Sequence, residues 1–281
     1  MMTIRQALIN AKARISAVSS SPGLDAQLLL AEVIGESRAH VIAHPERQLT
    51  PEQVAQYDAW ITRRADAEPV AYILGRKAFY DREFLVTPAV LIPRPETEHL
   101  LEAALEFAAD RPCVAVDVGT GSGALAVTFA ANCPQATVYA TDISHPALEI
   151  ARQNAEVHHV NVTFLQGDLL MPLIERQIAL DLLMANLPYI ASDDVPQLLV
   201  SRHEPILALD GGVEGLDLIR RILEQSRHIL KPGALILLEI GADQGEAVTQ
   251  LAQQMLSPQQ VSLMKDYAGH DRVVKITINN A

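Results

Sequence analysis

At 281 residues, 49% of them hydrophobic, the chain can build one large domain or two around sizeable cores. Its net charge of −12, from 22 basic and 34 acidic residues, disfavours tight sequence-independent binding to nucleic acid, which sets Lys and Arg against phosphates. The longest apolar runs, such as "ALILLEI" from Ala234, are too short to span a bilayer, and the first twenty residues lack the unbroken apolar core of a signal peptide.

Two cysteines, Cys113 and Cys133, fit no metal spacing and no disulfide framework. They are expected as buried thiols in a reducing cytoplasm.

Along residues 1–75 the segments "TIRQALINAKARISAV", "GLDAQLLLAEVIG" and "TPEQVAQYDAWITRRAD" repeat apolar residues at i, i+3 and i+4, the mark of amphipathic helices. Thr50 before Pro51 reads as an N-cap followed by proline at the first helical position. A helical N-terminal domain is expected here, serving partner recognition or simple stabilisation. Residues 76–95, with "KAFYDREFLVTPAVLIPRP", suit a hairpin linker ending at Pro93 and Pro95. Residues 96–281 then open on a helix at Glu96-Thr97-Glu98 running to about Ala109.

Beyond Pro112, β-rich apolar runs alternate with helical patterns. The runs are "CVAVDVG", "ATVYATD", "VTFLQGD", "LDLLMANL", "GALILLEIG" and "RVVKITI". The helices are placed at 124–131, 146–157, 216–230 and 243–255. This order predicts an α/β, Rossmann-like, mostly parallel sheet, with "VSLMKDY" and "DRVVKITI" closing it as an antiparallel edge.

Four motifs fall at the carboxyl ends of the predicted strands. In "VAVDVGTGSGALA", Gly119, Thr120, Gly121, Ser122 and Gly123 turn a strand into a helix. The spacing is GxGxG and not the dinucleotide GxGxxG, which suits a cofactor without a pyrophosphate, such as S-adenosylmethionine; a tight turn packed by glycines is the alternative. Asp142 lies about 20 residues further on, where a carboxylate can accept both ribose hydroxyls or cap the next helix beside Ser144. Asp168 can accept an adenine amino group while Leu169 packs the ring, or it is a plain loop aspartate. Asn186, Leu187, Pro188 and Tyr189 follow the fourth strand. A side-chain amide oxygen and the next backbone carbonyl can hold the two N–H bonds of a planar amino group, with Tyr189 packed against it. The usual form of this motif carries proline where Leu187 stands. Leu187 supplies the same carbonyl and, preceding Pro188, keeps the extended bias, but loses the ring's lock on φ.

With these residues in hand, the chain resembles the HemK/PrmC family, which methylates the glutamine N5 of peptide chain release factors. The resemblance covers nearly the whole length and is sharpest in "FLVTPAVLIPRPETE", "DVGTGSG", "NLPYI", "RHEPILALDGGVEGLDLIRRIL", "LLEIGADQGEAV" and "KDYAGHDRVV". It implies a class I S-adenosylmethionine-dependent methyltransferase with a release-factor-recognising N-terminal domain. Gly119 to Gly123, Asp142, Asp168, Leu169 and Asn186 would hold the cofactor, and Asn186 to Tyr189 would receive the glutamine of the Gly-Gly-Gln loop. Arg94 and Glu204 would lie near the substrate, Arg94 paired with Glu96 over the cofactor and Glu204-Pro205 shaping the entrance. A cytoplasmic monomer that binds no metal, membrane or nucleic acid is expected.

Three rivals share part of this pattern. They are an adenine-N6 nucleic-acid methyltransferase, a glutamine methyltransferase acting on a ribosomal protein, and a cofactor-binding regulator silenced by Leu187. His158-His159 and His270-Asp271 are expected as a helix end and a strand turn, and not as metal or catalytic pairs.

Overall fold

Cap chemistry sets the frame of the first helices. Thr3 and Thr50 each accept a hydrogen bond from the backbone three residues on, and the cap residue's own N–H donates in turn to the side-chain oxygen of Gln6 or Gln53. The structure, a computed structural model, describes residues 2–109 and 111–280. It divides into two units, one ending at Arg76 and one starting at Lys77. In the first unit lie α1 (Ile4–Ile15), α2 (Pro22–Ile34), α3 (Arg38–Ala43), α4 (Pro51–Ala65) and α5 (Val70–Leu74). Ile4, Ile15, Leu29, Leu30, Val41 and Ile61 are sealed at its centre. The sequence pattern separates α1, α2 and α4. The short α3 and α5 span too few residues to display a period.

The remainder opens on β1 (Arg76–Phe79) and β2 (Arg82–Leu85), a two-stranded sheet that turns at Tyr80, where φ is +55°. There follow α6 (Thr97–Ala108), β3 (Val114–Val118), α7 (Ala124–Asn132), β4 (Thr137–Asp142), α8 (His145–Val157), β5 (Thr163–Gln166), α9 (Met171–Ile174) and β6 (Leu180–Ala185). Short 3₁₀ turns lie between residues 195 and 208, before α10 (Asp217–Ser226), β7 (Leu230–Glu239), α11 (Gly245–Leu256), β8 (Gln260–Lys265) and β9 (Asp271–Thr277).

Among the described residues one sheet runs β5-β4-β3-β6-β7-β9-β8, parallel except where β9 lies antiparallel between β7 and β8. The last strand is therefore interior, and β8 forms the edge. Every central strand divides its side chains between two faces, as a period of two demands. Ala115, Leu182, Met184, Leu235 and Leu237 pack with Leu100, Leu101 and Phe129 on one side. Val116, Val118, Leu183, Ile236 and Leu238 pack with Ile219, Leu223 and Val248 on the other. Burial on both faces explains why these strands read as unbroken apolar runs.

α10 stops at Ser226, short of the expected Leu230, because the Ile229 carbonyl is drawn to the amide of Leu180 at 2.7 Å and the chain enters the sheet. Both cysteines are buried thiols. His158 caps the end of α8 and shares a 2.8 Å hydrogen bond with the Glu83 carbonyl. Among the described residues no helix is long and apolar enough to cross a membrane.

The cap at α4 gives a direct test. Replacing Thr50 with Ala removes the hydroxyl that accepts from the Gln53 amide, keeps the backbone N–H that donates to the Gln53 side chain, and is expected to cost about 1 kcal/mol, read from the urea midpoint at unchanged m-value. An unmoved midpoint would show that the cap contributes nothing.

Candidate active site

The chain leaves β3 toward β4 and β5 on one side and returns to the other side of β3 as β6. At such a reversal the loops beyond the strand ends diverge and leave a crevice. Here it is a cavity of about 240 Å³. It gathers Gly119, Gly121, Asp142, Asp168, Leu169, Asn186, Leu187 and Pro188 from the four strand ends. Val90, Leu91, Ile143, Pro205, Leu207 and Arg221 complete much of the wall. Thr120, Ser122, Gly123, Tyr189, Arg94 and Glu204 are not part of that lining. A wider groove of about 860 Å³ beside α8 and the starts of β4 and β5 holds none of the expected site residues.

The glycine loop is held from beneath by Asp117. Its buried Oδ2 accepts from the Thr120 hydroxyl at 2.6 Å and from the Ala126 amide at 3.2 Å. Burial pushes the Asp117 carboxyl up to about 7 against the pull of those two bonds. Thr120 thus faces the loop's interior. Ser122 is also buried, and its carbonyl accepts from Asn154 at 2.8 Å. Gly123 has φ +80°, and a Cβ there would stand 3.0 Å from that of Ala151, so this glycine lets α7 lie close to α8. Gly121 differs: a Cβ on it would meet no protein atom within 4 Å, and it lines the cavity.

Asp142 engages a backbone amide with each of its oxygens. Oδ2 accepts from the Gly121 amide at 2.9 Å and Oδ1 from the Ser144 amide at 2.8 Å, while Ser144 Oγ caps α8. Burial raises the Asp142 carboxyl, and the backbone N–H groups oppose it. Thr141, on the same wall, keeps a buried Oγ1 with no hydrogen-bond partner among the described residues. An orphaned hydroxyl, an acidic side chain at the strand end and a bare glycine shelf are the donor set a nucleoside-bearing ligand needs. Asp168 is paired with Arg221 of α10. Arg221 escaped sequence reasoning because it lies in an ordinary amphipathic helix.

Asn186 donates through Nδ2 to the Thr97 hydroxyl at 3.0 Å, and Thr97 donates to Glu239 at 2.6 Å. Among the described residues nothing donates to Asn186 Oδ1 or to the Leu187 carbonyl. Leu187 itself is buried, its Cδ2 against Gly119. Tyr189 is fixed through its backbone, its carbonyl accepting from Gln244 at 3.0 Å. Gly211 and Gly215 lie against this stretch. A Cβ on Gly211 would fall 2.6 Å from the Pro188 carbonyl oxygen, and one on Gly215 would fall 2.2 Å from that of Tyr189. The phenol of Tyr189 is held above its ordinary range, by burial first and then by the nearby Glu239 charge.

Arg94 does not pair with Glu96 as expected. Its guanidinium reaches both oxygens of Glu204, at 2.8 and 2.7 Å. Glu204 is almost wholly enclosed and too far along the chain for local pattern to couple them. The pair ties the segment after β2, with Val90 and Leu91, to the 205–208 turn, so it joins two walls of the cavity.

Comparisons with known proteins bear on this arrangement. The family "PrmC N-terminal domain" matches residues 6–75, and "Methyltransferase domain" matches residues 115–204. The chain is 44% identical over 278 residues to a release factor glutamine methyltransferase of Moorella thermoacetica, covering 96% of this chain and 97% of that protein. It is 40% identical over 258 residues to that of Escherichia coli K12, covering 91% and 92%. Among solved structures, a methyltransferase from Pyrococcus furiosus superposes with a TM-score of 0.55 at 18% identity, covering 78% of this chain and 99% of that one. The 16S rRNA N2 G1207 methyltransferase of T. Thermophilus does so at 0.54 and 16% identity, covering 73% and 50%. These structural likenesses show the fold alone.

Two outcomes follow from the buried carboxylates. Arg94→Ala leaves Glu204 enclosed without a partner and is expected to cost about 3 kcal/mol, whereas Arg94→Met with Glu204→Leu loses far less, both read by urea unfolding. Equal losses would show that the charge carries no penalty there. For Asp117, a folded-state value raised to about 7 from 3.8 means that folding takes up a proton. That stabilisation is present below the unfolded value and is lost as pH rises through about 7. Asp117→Asn keeps an acceptor for Thr120 and Ala126, so its urea midpoint is expected to fall less than the wild type's over the same range; parallel curves would remove Asp117 as the cause.

Proposed function

Because the chain belongs to the release factor glutamine methyltransferase family, we propose that it methylates the side-chain amide nitrogen of the glutamine in the Gly-Gly-Gln loop of a peptide chain release factor, with S-adenosylmethionine as donor. The observation that carries this reading is a pair of acceptors that nothing donates to among the described residues, Asn186 Oδ1 and the Leu187 carbonyl, on two residues that line the cavity.

A carboxamide nitrogen is a poor nucleophile, since its lone pair is spread into its own carbonyl. It needs orientation more than activation. Two acceptors, one per N–H, fix the plane of the amide and aim its nitrogen along one line, which turns a collision into an intramolecular approach. As the nitrogen gains positive character, both acceptors bind its hydrogens more strongly, so the stabilisation grows toward the transition state. No general base is required, because transfer to the neutral nitrogen gives an N-methylated amide cation, which is strongly acidic and loses one N–H proton to water to leave the neutral product.

S-adenosylmethionine, when bound, supplies an electrophilic methyl group on a sulfonium. Gly119 and Gly121 give it an open shelf, and Asp142 accepts the ribose hydroxyls. Asp168 keeps lone pairs for the adenine amino group beyond its pairing with Arg221, and Leu169 and Ile143 give the ring apolar contact. Thr120, Ser122 and Gly123 act by holding the loop in shape. Tyr189 packs the planar substrate. Arg94 and Glu204 brace the entrance. The first unit, matched by the PrmC N-terminal domain, recognises the release factor. The enzyme works as a cytoplasmic monomer.

Incubation with release factor and S-adenosylmethionine is expected to add one methyl group to the glutamine of the Gly-Gly-Gln peptide, detected by mass analysis, and none to a Gln-to-Ala loop variant or to DNA. Asn186→Ala is expected to lower kcat by about 100-fold or more. Asp142→Ala is expected to weaken cofactor binding by about tenfold, measured by calorimetry, with little effect on the affinity for release factor. Methylation of DNA, or full turnover by Asn186→Ala, overturns the reading.

A further inference from the structure

The amide of Asn186 is useful to a carboxamide substrate only with its oxygen facing the cavity. Rotated by half a turn, the same side chain would set a donor against the substrate's own N–H. Nothing in the shape of an asparagine chooses between the two; its hydrogen-bond network does.

Three groups form that network. Asn186 Nδ2 donates to Thr97 Oγ1 at 3.0 Å, and Thr97 Oγ1 donates to Glu239 Oε2 at 2.6 Å. Thr97 stands in the first turn of α6 and Glu239 ends β7, and both are buried. A hydroxyl has one hydrogen to give. An ionised carboxylate can only accept, so that hydrogen goes to Glu239, and the oxygen of Thr97 is left as an acceptor. Only the NH₂ end of Asn186 can meet it. The amide oxygen is thereby turned outward.

We propose that Thr97 and Glu239 are positioning residues for the methyl transfer, a hydroxyl and a carboxylate whose hydrogen-bond polarity fixes which end of the Asn186 amide faces the substrate. The inference rests on the reading of Asn186 as the acceptor for a carboxamide, and goes beyond it by assigning what sets that acceptor.

The charge on Glu239 is the master term. Burial pushes its carboxyl up to about 7, opposed by the hydrogen bond from Thr97 and by Arg272 of β9 and Arg94, and assisted by Glu96. Tyr189 also faces it, and its neutral phenol adds no charge near pH 7. Once protonated, Glu239 can donate to Thr97, which frees the threonine hydrogen for Asn186 Oδ1 and permits the wrong rotation. Turnover should therefore fall as pH drops through about 7.

The test measures kcat, KM for release factor and cofactor Kd for the full chain and its Thr97→Ser, Thr97→Val and Glu239→Gln variants, from about pH 6 to about pH 9. Thr97→Ser retains the hydroxyl and is expected to keep kcat within about threefold, while Thr97→Val loses about tenfold to a hundredfold in kcat at unchanged cofactor Kd. Glu239→Gln is expected to lose the acidic limb of the kcat profile. Wild-type kcat in Thr97→Val, equal damage in Thr97→Ser and Thr97→Val, or an acidic limb that survives in Glu239→Gln each overturns the proposal. Should Thr97→Val fail to fold, judged by lost cofactor binding, the Glu239→Gln profile decides alone. If the wild type methylates no glutamine, the functional reading fails; if Asn186→Ala is inactive while Thr97→Val is fully active, only this inference fails.

Discussion

A buried polar atom without a partner costs about 1–3 kcal/mol, and a site that grips a ligand must leave some such atoms waiting. Part of that cost falls on the wall of one cavity. Asp117 is engaged by a hydroxyl and an amide, Asp142 by two amides and Glu204 by a guanidinium. On this wall Thr141 Oγ1, Asn186 Oδ1 and the Leu187 carbonyl stay unclaimed, on three residues that line the same crevice, while elsewhere among the described residues Arg82 Nε and Thr128 Oγ1 lack a hydrogen-bond partner. Full satisfaction one layer back is what makes the exposed acceptors rigid enough to be useful.

Placement of the 186–189 stretch comes from backbone meeting backbone. Ile190 exchanges hydrogen bonds with the 209–211 turn, Gly211 and Gly215 allow an approach no side chain would permit, and Gln244 ties the Tyr189 carbonyl to the loop after β7. Segments far apart in sequence therefore hold one tetrapeptide. Side-chain packing alone leaves rotamer freedom, and main-chain hydrogen bonds with close glycine contacts leave little.

Much of this was legible in the residues. Strand and helix alternate with the periods that burial on one or two faces requires, and the strand-end motifs fall where the switch point gathers them. Local pattern failed where the partner is distant. Arg94 was assigned to Glu96 two positions on, but its carboxylate is Glu204, 110 residues away. Thr97 read as an ordinary helix opening, and its partner Glu239 lies 142 residues further along. Glu239 did leave a trace: a lone charge inside "ALILLEIG" must be exposed at an edge or held by a buried donor, and β7 has neighbours on both sides. Thr120 bonds Asp117 and Gly123 lies against Ala151, contacts that spacing does not reveal, since it shows that a loop turns but not which side each residue faces.

Leu187 shows how packing can stand in for covalent restraint. A proline there would limit φ in the unfolded chain, an advantage of about 0.4–1 kcal/mol. A leucine gives that up, yet sealing its side chain is favourable by about 1.5–3 kcal/mol. The gain comes from a cluster with Val116, Val118 and Leu169, and from direct contact with Gly119. The restraint also acts elsewhere. A ring would stiffen residue 187 by itself, whereas the buried leucine couples it to the glycine loop, so that the acceptor carbonyl and the shelf beside it hold or shift together. In this chain the 186–189 stretch and the glycine loop are joined mechanically at one apolar contact, and that coupling is the physical content of the substitution.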